Sequence, residues 1–218
     1  MIQFTTGDEL LLVCLQQDIS LGEAMLRREM EREQAQRDAL LEEMRLNLAV
    51  MRQSVERGLK EKKSSVTGMS GGDAQQLLAY AQTAPFLGEN ACRAVAASMA
   101  VVEVNAAMGK IVAAPTAGAS GVLPGTLLQC ASQRGWDDDA LVMGLFAAAA
   151  VGMLIARNAV ISGAAGGCQA ETGAAASMAV ALTVTSGMAR PSASPFPALF
   201  PPSPPATSLP SNNLDAVP

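Results

Sequence analysis

No histidine occurs anywhere in the 218 residues. Its absence removes the commonest general base, the commonest zinc ligand and any Ser–His or Cys–His nucleophile. Proton transfer must then use a carboxylate, Lys110, Tyr80, a bound cofactor or another subunit. Aromatic residues are almost as scarce, at 3%, while half of the chain is apolar and rich in Ala and Gly. Large rings are not there to fill a core, so helices must approach each other closely through small side chains. Charge is sparse as well: 16% of residues, with a net charge of −5. Ten of the fifteen Lys and Arg lie before residue 64, interleaved with twelve acids. No basic face stands alone, and no nucleic-acid partner is expected.

The start, MIQFTTGDELLLVC, has no basic leader and no small-residue cleavage site, so no secretory signal is expected. Cys14, Cys92, Cys130 and Cys168 are widely spread, unlike a disulfide scaffold. A cytoplasmic protein with reduced thiols is the expectation.

What is present reads as an all-α domain. Residues 20–60 predict a long helix or a helix pair, opened by a capping box of Ser20 and Glu23. Leu41, Met44, Leu48, Met51 and Val55 form one apolar stripe, with the charge-rich stretch 27–45 as the solvated face. Residues 61–73 are a loop by composition, and a helix restarts at Asp73. A further helix covers 89–109, and another follows the break at 115–125 from about Thr126. The uncharged run 140–156 suits a buried core helix; a membrane span is the alternative, at the short limit of length. From Pro191 onward nine of the twelve prolines gather among Ser and Ala. Proline lacks the amide donor a helix needs, so a disordered or polyproline-like tail is expected, with PPSPP (201–205) as a conceivable SH3-type ligand.

Three Gly-rich loops stand out: SSVTGMSGGD (64–73), PTAGASGVLPG (115–125) and SGAAGGCQAETG (162–173). Each sets Ser or Thr beside Gly ahead of an apolar helical stretch, a pattern that frees backbone amides for an anion. None is a Walker loop or a dinucleotide fingerprint. Tight helix connections would read the same way, but three such loops in one small domain suggest a shared small-molecule site. In the third, Cys168 should lie in the first turn of a helix starting near Gly166 or Gly167. A helix N-terminus favours the thiolate, yet an inert buried thiol is the commoner state of a free cysteine. Glu171, one turn on, is an acid in an otherwise apolar run and needs a partner or a role.

KIVAAPTAGASGVLPG (110–125) and NAVISGAAGGCQAETGAAASMA (158–179) resemble the α chain of the iron–sulfur-dependent L-serine dehydratases of the two-chain bacterial type. TGMSGGDAQQLLAY (67–80), EVNAAMG (103–109), MLRREMER (25–32) and LNLAVMRQSVERGL (46–59) match the same family in the same order. The resemblance covers residues 1–182 and implies loss of water and ammonia from L-serine to give pyruvate. It implies a 4Fe-4S cluster held by three cysteines, with an open iron acting as Lewis acid. Cys168 matches the first of these ligands. Ser70, Gly71, Thr116, Gly118, Ser120 and Ser162 are implied as substrate contacts, the base being unassigned. L-Serine and a β chain are the implied partners, in a hetero-oligomer with no membrane.

The chain departs from this family after Leu182. The later segment that brings the other two cysteines, of the type CDPVAGLVEVPC, has no counterpart, and 183–218 is a Pro/Ser-rich replacement. The expectation is an authentic core over 1–182 followed by out-of-frame or substituted sequence, with no stable cluster. The other two frames of the downstream DNA would show the segment if this is so. A non-catalytic paralogue that binds the β chain or serine is the alternative, and a small membrane protein built on 140–156 and 174–189 is a third.

Overall fold

The computed structural model describes residues 2–62, 64–83 and 85–187. Among them are eight helices and no strand, as an all-α chain requires: α1 (Gly7–Gln17), α2 (Leu21–Glu33), α3 (Arg37–Lys60), α4 (Asp73–Tyr80), α5 (Glu89–Ala106), α6 (Val122–Arg134), α7 (Asp138–Asn158) and α8 (Gly163–Gly187). Of the tail expected over 183–218, residues 183–187 continue helix α8, and the rest lies outside the described residues.

Residues 20–60 form a helix pair. Ser20 Oγ accepts the Glu23 amide at 3.1 Å, but only half of the expected capping box is made. The Glu23 carboxylate reaches Arg27 at 2.7 Å and Arg37 at 2.8 Å, closing the turn between α2 and α3. A full capping box is made by Thr6 and Glu9 at the start of α1, where the sequence reading had placed none. In α3 the expected stripe is kept: Leu48, Met51 and Val55 are buried, and Leu41 and Met44 pack on the core half-covered. The helix after the 115–125 break starts at Val122, four residues before Thr126. Pro124 is tolerated there because first-turn amides have no intrahelical acceptor to lose.

Helix α7 lies at the centre, packed chiefly on α8 and α2. Its Leu141, Ala147, Ala148 and Ala150 are fully buried. By length and composition α7 could cross a membrane, yet over half of its apolar window is covered by its neighbours here. Asp137 caps it, accepting the Ala140 amide at 2.8 Å. Asp138 and Asp139 reach Arg52 (2.5 Å) and Arg45 (2.9 Å) on α3.

The shortage of aromatics is met by backbone contact. A Cβ on Gly22 would lie 2.3 Å from the Met143 carbonyl oxygen, one on Gly58 2.3 Å from that of Ala100, and one on Gly121 2.1 Å from that of Ser98. These glycines set the crossings of α2 on α7 and α3 on α5, and of the start of α6 on α5. Fully buried Ala24 on α2 and Ala96 and Ala100 on α5 lie on the helices that meet there. Dense packing of small residues supplies the dispersion contacts that rings would otherwise give.

Candidate functional site

The three Gly-rich loops meet. A cavity of about 300 Å³ is lined by Ser70 and Asp73 from the first loop and by Gly118, Ala119 and Gly121 from the second. Thr172, at the end of the third, lines it too, and Ser98, Val102 and Glu103 of α5 form the floor. A larger hollow, about 570 Å³, lies along α3 by Arg45 and Lys110 and involves none of these loops.

The first loop is clamped onto α5. Ser65 and Ser70 bond each other through Ser65 N–H to Ser70 O (2.8 Å) and Ser70 N–H to Ser65 Oγ (3.2 Å), while the Val66 amide reaches Ala106 O at 3.1 Å. At its far end the Glu103 carboxylate accepts the amides of Gly72 (3.0 Å), Asp73 (2.8 Å) and Ala74 (3.0 Å). Gly72, at φ 90°, makes the turn that aims these amides inward. The anion pocket that the sequence suggested at the start of α4 therefore exists, and an internal carboxylate fills it. Glu103 was missed although the signal was available: it is the one charge in the long apolar run of α5, as Glu171 is in its own run.

The second and third loops are joined by Glu171. Its carboxylate accepts the Thr116 hydroxyl and lies against two glycines. A Cβ on Gly118 would be 2.8 Å from Oε1, and one on Gly163 2.7 Å from Oε2. The acid needed a partner and has one 55 positions away.

The remaining candidates are placed as follows. Gly71 takes a positive φ of 135° beside Ser70 in the clamped loop. Ser120 is fully buried, and its hydroxyl donates to Ala117 O at 2.7 Å, shaping the turn before α6 rather than facing the cavity. Ser162 is exposed and accepts the Ala164 amide at 3.3 Å, capping the first turn of α8. Thus Ser70 and Gly118 face the cavity, Thr116 stands beside it, and Ser120 and Ser162 serve the backbone.

Cys168 opens the main run of α8. Gly167, at φ 79° and ψ 166°, breaks the helix just ahead of it, so Cys168 occupies the first turn as the spacing predicted. The thiol is exposed, which replaces the buried reading. It lies one turn before Thr172, whose hydroxyl donates to Cys168 O at 2.8 Å. The residues do not fit a cluster that takes three thiolates. Cys14 is buried in α1, and burial pushes its thiol up to about 11. Cys92 is buried in α5 and Cys130 half-buried in α6. Among the described residues no group of three His, Cys, Asp or Glu is placed to hold a metal ion.

Comparison with known proteins agrees with the motifs. The family model for the serine dehydratase alpha chain matches residues 16–192. The probable L-serine dehydratase alpha chain of Bacillus subtilis is 42% identical over 182 residues, 83% of this chain and 60% of the relative. The L-serine dehydratase alpha chain of Peptoniphilus asaccharolyticus is 32% identical over 180 residues, 82% of this chain and 62% of the relative. The L-serine dehydratase of Streptomyces coelicolor is 40% identical over 188 residues, covering 81% of this chain and 39% of that protein. The chain thus spans about three fifths of the length of the two alpha chains it matches. On these grounds the chain belongs to the serine dehydratase alpha chain family.

Proposed function

We propose that this chain is the substrate-binding part of an L-serine dehydratase α chain, a lyase that converts L-serine to pyruvate and ammonia. The observation that carries the reading is the meeting of the three family motif loops on one cavity of amino-acid size. Ser70 and Gly118 bound it, and Thr116 braces its wall through Glu171. The test is a thermal shift of the 218-residue protein with L-serine. A raised melting temperature in the wild type, lost in Gly118→Val, supports the pocket; no shift in the wild type removes it.

The family's 4Fe-4S cluster would supply Lewis-acid help to the leaving hydroxide, and Cys168 is the thiolate this chain offers it. Its exposure and its place at a helix start favour that role. One accessible thiolate out of three does not hold a cubane, so we propose that this polypeptide alone is without stable cluster and without turnover. Iron and sulfide analysis after anaerobic reconstitution, alone and with a β chain, tests this. About four irons per chain would overturn it.

The same shortage of thiolates favours a second reading: a non-catalytic paralogue that binds the β chain or serine. Serine binding and β-chain capture without pyruvate formation, in the reconstituted mixture, would distinguish it. A β-chain partner and a cytoplasmic location are part of the proposal in either case.

A further inference from the structure

We infer that the cavity recognises its ligand by an ammonium group, and that the carboxylate of an amino acid is received elsewhere. This inference rests on the serine-pocket reading above and adds the orientation of the ligand within it.

The argument is one of hydrogen-bond polarity. Two carboxylates line the cavity, Asp73 and Glu103, and no lysine or arginine does. Three side-chain hydroxyls line it as well, and two have already spent their protons. Ser98 Oγ donates to Ala94 O at 2.9 Å and Thr172 Oγ1 to Cys168 O at 2.8 Å, each one turn back on its own helix. Both present only lone pairs to the cavity. Ser70 alone keeps a hydroxyl proton with no partner among the described residues. The amides at the start of α4, which would suit an anion, are held by Glu103 at 2.8–3.0 Å. That arrangement satisfies the helix terminus and leaves the Asp73 carboxylate with no ion-pair or hydrogen-bond partner among the described residues. Lys62 runs its aliphatic stem over Gly72 and does not line the cavity.

Among the side chains that line the cavity, acceptors therefore outnumber donors, and their charge is negative. An ammonium brings three donors and a positive charge, whereas a carboxylate would meet Asp73 and Glu103 as like charges. The Gly-rich pattern of these loops had suggested a site for an anion. The geometry assigns them the ammonium end, directed at Asp73 with Ser98 and Thr172 as flanking acceptors.

The experiment compares three small probes by calorimetry on the 218-residue protein: L-serine, ethanolamine (the amine without the carboxylate) and L-glycerate (the carboxylate without the amine). Binding of L-serine and ethanolamine, with L-glycerate at least tenfold weaker, supports the inference. L-Glycerate binding as well as L-serine, or ethanolamine failing while L-serine binds, overturns the orientation and leaves the pocket standing. Failure of all three removes the pocket reading and this inference with it. Asp73 is exposed, so Asp73→Asn should fold with an unchanged melting temperature and weaken ethanolamine at least fivefold. An unchanged ethanolamine affinity in that variant overturns the role given to Asp73.

Discussion

Thr116 donates its hydroxyl proton to the carboxylate of Glu171, and this one bond ties the loop before α6 to the first full turns of α8. The carboxylate fits only because Gly118 and Gly163 lack side chains where its oxygens lie. Thr116→Val keeps the shape and removes the donor from a half-buried acid. The cost should be about 1–2 kcal/mol in urea denaturation, and Thr116→Ser should recover most of it. Equal stability of the valine variant and wild type would mean the bond is not made in solution.

The Glu103 clamp gives a local prediction. Glu103→Ala removes the acceptor of three amides at once and should cost about 2 kcal/mol. Glu103→Gln keeps an acceptor and loses the charge at a helix N-terminus, so its cost should be smaller, about 1 kcal/mol. In both variants amide hydrogen exchange should accelerate at Gly72, Asp73 and Ala74 more than in α7. Unchanged exchange at those three amides would show that Glu103 does not hold the loop.

Close helix crossings should be intolerant of a single methyl group. In Gly58→Ala the new Cβ would come within 2.3 Å of the Ala100 carbonyl oxygen, and the atoms it meets are backbone. A loss of about 1–3 kcal/mol is expected as α3 and α5 separate. Gly135→Ala is a control for space: no atom lies within 4 Å of its Cβ position. Its penalty comes only from the left-handed φ of 65°.

Acid should weaken the joint between α2 and α3. Burial pushes the Glu23 carboxyl up, but hydrogen bonds from Arg37 and Arg27 outweigh it, and the group ends below its ordinary value of 4.5. A carboxyl depressed in the folded state adds stability above its unfolded pKa and loses it as pH falls through the folded value. Denaturation midpoints should therefore fall from about pH 5 downward, and less steeply in Glu23→Gln. Parallel curves for the two proteins would show that the pair contributes nothing.

Thiol accessibility should separate the cysteines. Iodoacetamide at neutral pH should alkylate Cys168 first, since it is exposed, and leave Cys14 and Cys92 unmodified until the protein unfolds. Mass spectrometry of the digested protein reads the order directly. Early modification of Cys14 would contradict its burial and its raised pKa of about 11.

Helical periodicity, loop composition and the missing rings determined the all-α class, the helix pair over 20–60, the core helix α7 and the first-turn place of Cys168. These are properties of neighbours along the chain: apolar spacing, Gly and Ser punctuation, and a glycine that must break the helix at 167. The family motifs were equally legible, because they are strings. What the string did not contain is which loops meet. Ser70, Thr116, Gly118, Ser120 and Ser162 look alike in sequence, each a small residue in a Gly-rich loop. Only packing decided that Ser70 and Gly118 border a cavity while Ser120 is buried in a turn and Ser162 caps a helix. The carboxylates were decided the same way. Glu103 and Glu171 are each a lone acid in an apolar run of helix, and burial demands a partner for both without saying which. Their partners lie 29 to 31 and 55 positions away. Such long-range pairs are set by how the helices cross, and here the crossings are set by glycines that let backbones touch.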